Sequence, residues 1–169
     1  EMTFRPYILP CITLRGTPFD IGLQYGQRAR SRIRRHFANQ RNLMAARCPA
    51  DPDWWRHAAH EQLAPYEEFA PHFVEEMVGL SRGADLTFEE ILLLNVRDEL
   101  TPAPRAALAE ACTSFGCHGD LTLAGGPILG QTKDTATISQ DLYVVIAMRQ
   151  QGRPDLLQMP YAGEMGVFG

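Results

Sequence analysis

The sequence predicts an α+β chain, mainly helical over its first hundred residues and β-rich beyond about residue 105. Three observations carry this. Helix-starting signals stand at Thr17 and Thr87, an apolar stripe of helical spacing runs between them, and after the Pro/Ala-rich "TPAPRAALAEA" the texture changes to short apolar runs punctuated by glycine.

In "RGTPFDIGLQYGQRARSRIRRHF", Thr17 is placed to cap a helix whose first residue is Pro18, with Asp20 near the positive end of the helix dipole. Phe19, Leu23, Gly26, Ile33 and Phe37 then fall near one face. Gly22 and Gly26, one turn apart, weaken the helix, which predicts close approach of a neighbouring element there. A second helical region begins at Asp51. Tyr66, Phe69, Phe73, Met77 and Leu80 make its apolar stripe, and Pro65 and Pro71 break it into shorter helices. Gly83 is the expected stop. "TFEE", Thr87 to Glu90, is a capping box opening a third helix, "FEEILLLNVRDEL". The β-rich part contains "CTSFGC", "PILGQTK", "LYVVIAMRQ", "LLQMPYAG" and "EMGVFG". "QGRPD" reads as a hairpin connection, and therefore as a sign of antiparallel pairing. The last run reads as a strand with no cap or tail, so the natural polypeptide is expected to continue.

Composition narrows the function. The 169 residues are 45% hydrophobic and 21% charged, enough for one sizeable core, and the net charge of −4 disfavours broad nucleic-acid binding. No apolar run approaches the roughly 18 residues of a membrane span, and "EMTFRPYILP" lacks a basic segment followed by an apolar one. Neither a nucleic-acid nor a membrane partner is expected. Cys11, Cys48, Cys112 and Cys117 are too scattered for a dense disulfide framework, which points to a reducing compartment and a cytoplasmic location.

Cys112 stands at the boundary between linker and strand-like sequence. A free thiol has a pKa of about 8.5, so a nucleophilic cysteine needs a base or a positive charge beside it. Cleavage of the Ala111–Cys112 bond would make such a base, because the new α-amine titrates near about 8 and sits next to the thiol.

"RGTPFDIGLQYGQ", "EEMVGLSRGADLTFEEILLLNVRDEL", "ACTSF" and "ILGQTKD" occur in the order and approximate spacing of the acyl-CoA:6-aminopenicillanic acid acyltransferase family, peptidase family C45, which the chain resembles along essentially its whole length. These are N-terminal-nucleophile (Ntn) hydrolases with an αββα sandwich core, related to penicillin V acylase and bile salt hydrolase. The resemblance implies that residues 1–111 form a mainly helical α fragment and that 112–169 begin a β-rich catalytic core, here only in part. It implies self-cleavage between Ala111 and Cys112, with Cys112 as the catalytic nucleophile and the two fragments remaining associated. Asp134 of "GQTKD" matches the family's carboxylate near the nucleophile's amine. Gln131 matches a substrate-orienting position, and Thr113, directly after the nucleophile, is assigned with it to substrate binding. "TK" departs from the asparagine and aromatic residue of many relatives, which leaves the pocket's shape open. "YAGEMGVFG" resembles the stretch ahead of an asparagine of the family's oxyanion hole. The implied substrate is a small amide or acyl thioester, acyl-CoA among the candidates, and no cofactor is implied.

Other readings stand beside these. The chain could be an uncleaved, silent homologue or a fragment acting as a binding or assembly subunit. Cys112, Cys117 and His118 suggest a zinc site, but no second cluster completes four ligands, so no metal is expected. Arg28, Arg30, Arg32, Arg34, Arg35, Arg41 and Arg47 form either a solvated helix face or a cradle for a phosphate-bearing ligand. His36, His57, His60 and His72, like Trp54 and Trp55, read as surface or packing residues.

Overall fold

The structure, a computed structural model, describes residues 8–100, 112–133 and 137–166, with positions 112, 133, 137 and 138 described by backbone alone. It has mixed helix and sheet and divides into two compact units. One is built from residues 8–100 with 141–166, the other from 112–133 with 137–140.

The larger unit opens on a strand, β1 (Cys11–Gly16), absent from the sequence reading. Helix α1 (Pro18–Arg47) follows. Its start is as expected: the Thr17 hydroxyl accepts the Asp20 N–H at 3.2 Å and the Asp20 carboxylate accepts the Thr17 N–H at 3.1 Å. Helices α2 (Trp55–Glu61), α3 (Leu63–Phe69) and α4 (Pro71–Ala84) come next, with Pro71 starting α4 where its missing N–H costs nothing. The second capping box, Thr87 with Glu90, opens α5 (Phe88–Val96), which stops before "RDEL".

Gly22 and Gly26 of α1 lie against Gly79 and Gly83 of α4. A Cβ on Gly22 would strike the Glu76 carbonyl oxygen and one on Gly26 the Leu80 carbonyl, while Gly79 and Gly83 meet the Phe19 and Leu23 carbonyls in return. The close approach expected from sequence is therefore a seam of four glycines. Gly83 belongs to that seam and is not the helix stop, because α4 ends one residue later and Asp85 takes the left-handed conformation at φ 56°. The buried face of α1 also differs from expectation: Ile21, Tyr25, Ala29, Ile33, His36 and Phe37 point inward, whereas Phe19 is 39% exposed. Phe69 drops out of the predicted stripe, being 78% exposed, while Met77 and Leu80 are fully buried.

β4 (Val145–Gln150) pairs in parallel with β1, Cys11 facing Val145, and antiparallel with β5 (Leu156–Gln158). "QGRPD" is the hairpin connection it was read to be. The buried Leu14, Ile146 and Met148 of the sheet join Ile21, Tyr25 and the α5 leucines in one core. "EMGVFG" is not a strand over its described residues. Gly163 lies in a turn at φ +98°, Glu164 is buried, and Met165 and Gly166 form a bend.

Several arginines on α1 bond to the main chain. Arg30 and Arg34 donate to the carbonyls of Gly83 (3.0 Å) and Asp85 (2.7 Å), capping the end of α4, and Arg32 and Arg35 donate to that of Asp141 (3.1 and 3.0 Å). Trp55 is fully buried edge-on to Phe37, and the Trp54 indole donates to the Met44 carbonyl at 3.0 Å.

Candidate active site

The smaller unit holds Cys112. β2 (Cys112–Cys117) and β3 (Ile128–Lys133) form a two-stranded antiparallel ladder in which Cys112 pairs with Lys133, Thr113 with Thr132 and Ser114 with Gln131. Cys112 is thus the first residue of a strand. Because successive strand residues face opposite ways, Thr113 and Gln131 occupy opposite faces of the ladder. Both are exposed, and the Thr113 N–H donates to the Thr132 hydroxyl at 3.2 Å. Asp134 follows Lys133 in the sequence, one position past the partner of Cys112. Asp134 and Ala111 lie outside the described residues.

The connection between these strands is a turn at Gly119–Leu121, fastened by the Thr122 hydroxyl against the carbonyls of Gly119 (3.0 Å) and Gly126 (2.7 Å). His118 lies 3.3 Å from the Asp120 carboxylate, with both side chains open to solvent. Among the described residues no group of three His, Cys, Asp or Glu side chains is placed to hold a metal ion.

A polar cluster that the sequence reading did not find surrounds residues 161–166. The Tyr25 hydroxyl accepts the Gly163 N–H at 2.9 Å and donates to the Tyr161 carbonyl at 3.3 Å. Asn95 donates to the Gly163 carbonyl at 3.0 Å while its side-chain oxygen accepts the Met165 N–H at 2.9 Å. His36 Nδ1 lies 2.9 Å from the Ala162 carbonyl; a carbonyl can only accept, so Nδ1 carries the proton. Its Nε2 then faces donors, Gln40 at 3.4 Å and Arg97 at 3.5 Å, and burial pushes the imidazole pKa down to about 4. Arg97 pairs with the buried Glu164 carboxylate and lies over the Tyr161 ring. Every residue from Tyr161 to Met165 is buried. The available sequence signal was a polar residue within an apolar run, Asn95 in "ILLLNV" and Glu164 in "YAGEMG".

No protein-family profile matches the chain. Single proteins do, and those are members of the acyl-CoA:6-aminopenicillanic acid acyltransferase family, peptidase family C45, that the chain resembles. The chain is 25% identical over 158 residues to the acyl-coenzyme A:6-aminopenicillanic-acid-acyltransferase 40 kDa form of Emericella nidulans, covering 94% of this chain and 43% of that protein. It is 24% identical over 173 residues to the beta-alanyl-dopamine/carcinine hydrolase of Drosophila melanogaster, covering 95% of this chain and 45% of that protein. It thus spans a little under half the length of these relatives. Among the described residues no helix is long and apolar enough to cross a membrane.

Proposed function

We propose that the chain carries the nucleophile of a self-activating Ntn-type enzyme that transfers or hydrolyses a small acyl group, within a reducing, cytoplasmic compartment. What supports this most is the similarity along 94% and 95% of the chain to an acyltransferase and to an amide hydrolase. The first-residue position of Cys112 on β2 agrees with it, because cleavage before Cys112 would leave thiol and amine together at a strand tip.

In maturation the Cys112 thiol attacks the Ala111 carbonyl, its peptide nitrogen leaves as an amine, and water hydrolyses the resulting thioester. In turnover the thiolate adds to the substrate carbonyl while the α-amine takes the thiol proton and then passes it to the leaving group. Water resolves the acyl-enzyme in a hydrolase, a second amine in a transferase. Asp134 would hold the amine, Gln131 would orient the substrate, and Thr113 would stand beside the reacting carbonyl. The acyl donor is an amide or a thioester of the acyl-CoA kind.

An αββα sandwich would supply what the hairpin lacks. A two-stranded ladder is marginal alone, and this one exposes Phe115, Ile128 and Leu129, which a second packed layer would cover. Under this reading residues 1–111 and 112–169 become separate fragments that stay associated. The pairing of β1 with β4 and the Tyr25, Asn95 and Arg97 contacts to residues 161–166 join both sides of the proposed cut.

Intact mass with N-terminal sequencing on the purified full-length protein, beside Cys112→Ala, tests the proposal. The expected result is a new terminus reading Cys-Thr-Ser-Phe in the parent alone. Normal cleavage in Cys112→Ala would overturn the mechanism, and a single uncut chain in both would favour a binding or assembly subunit.

A further inference from the structure

The larger unit contains a cavity of about 530 Å³ between the first turns of α4 and the β4–β5 hairpin, in the size range of small-molecule sites. Phe73, Met148, Leu156 and Met165 give it mostly apolar walls. Glu76, Gln150 and Gln158 interrupt them, and His72, Arg153 and Asp155 line the cavity as well. Glu76 is 2% exposed, and its Oε1 has no hydrogen-bond partner; the same holds for Nε2 of Gln150 and of Gln158.

Buried polar groups are nearly always satisfied, and leaving one without a partner costs about 1–3 kcal/mol. Three such groups around one cavity, one acidic and two amide donors, form a complementary set rather than scattered defects. Burial alone pushes the Glu76 carboxyl up to about 7, with no cation placed to counter it. The charged residues of the lining, Arg153 and Asp155, are exposed to solvent, and Asp155 is already paired with Arg149 at 3.0 Å. A hydrophobic lining would have served packing better than this trio.

We propose that this cavity binds a small molecule with an apolar body, a primary amine and a nearby carbonyl oxygen, the amine donating to Glu76 and the oxygen accepting from the Gln150 and Gln158 amides. The aromatic and thioether walls suit a phenyl-sized body. Neither Cys112 nor cleavage of the chain enters this assignment, so the site would fill in cut and uncut protein alike.

The test is a ligand-observed NMR titration of the full chain with two probes, L-phenylalaninamide, which has amine and carbonyl, and 3-phenylpropionamide, which lacks the amine. Parent protein is expected to bind the first saturably and about tenfold more tightly than the second, the scale of one charge-assisted hydrogen bond. Glu76→Gln should remove that preference, and Gln150→Met, which keeps size but deletes the donor, should weaken both probes together about fivefold. Absence of saturable binding to folded parent, or a preference for the amine that survives in Glu76→Gln, would overturn the site. Should Glu76→Gln fail to fold, Gln150→Met decides, and unchanged affinity in that variant would overturn the site equally.

Discussion

The Tyr25 hydroxyl accepts the amide N–H of Gly163 at 2.9 Å, from a residue 138 positions later in the chain. That bond lies in the core, where burial and the nearby Glu164 and Glu76 carboxylates hold the phenol far above its ordinary pKa. Tyr25→Phe keeps the ring and strands the Gly163 N–H. The expected loss is about 1–3 kcal/mol, read from urea unfolding, because the orphaned donor keeps its desolvation cost. A loss near zero would mean that the 161–166 turn is free to find water.

The Arg97–Glu164 pair sits beside it. Removing one partner from a buried pair leaves an uncompensated charge, so Arg97→Met should destabilise by about 3–5 kcal/mol. The double change Arg97→Met with Glu164→Gln should recover much of that loss. Equal destabilisation in the single and double variants would show that packing of the arginine stem, not its charge, is what matters.

Gly79→Ala tests the helix seam. On an exposed helix face this change stabilises by roughly 1 kcal/mol. Here the new methyl would meet the Phe19 carbonyl, main chain that cannot swing aside. Overpacking should win, with a net loss of about 1–3 kcal/mol seen as a lowered Tm. A raised Tm would show that α1 and α4 separate at little cost.

Two buried groups give stability a dome in pH. Glu76 has its folded pKa raised from 4.5 to about 7, so its contribution is fully present below pH 4.5 and is lost as pH rises through 7. His36 has its folded pKa lowered from 6.5 to about 4, so its contribution is present above pH 6.5 and is lost as pH falls through 4. The Glu76 limb is on the order of 3 kcal/mol. Glu76→Gln should flatten the fall between pH 5 and pH 8 while leaving the acid side in place. Parallel alkaline losses in both proteins, followed by chemical denaturation, would count against Glu76 as the cause.

What could be read from sequence was local. Thr17 with Asp20 and Thr87 with Glu90 announce helix starts because both partners of each cap lie within four residues. "QGRPD" announces a hairpin for the same reason, and Gly22 with Gly26 announced a neighbour without naming it. β1 escaped because "CITLRG" is defined by a parallel partner beginning at Val145, and nothing nearby signals that pairing. Gly83 was misread because a glycine near a helix end serves equally as a stop or as a contact, and only the approach of Leu23 distinguishes them. At the candidate site, the family resemblance marks Cys112 as the expected nucleophile, and residue chemistry adds that such a thiol would need a base beside it. Its place at the head of β2 needed the register, and the Tyr25, Asn95 and Arg97 contacts needed the tertiary fold.

The parallel pairing of β1 with β4 also sets an order of events in the life of the chain. Strand β1 is synthesised early, yet the edge it needs arrives only with residues 145–150. The helices between can form first, while closing that long loop is slow. In an intact chain the tether keeps the two strands at high effective concentration. Once cut between them, the same protein would have to refold as two molecules meeting, at a rate that falls with dilution. Any cleavage at Ala111–Cys112 therefore belongs after folding, and it would turn a reversible first-order process into a second-order one.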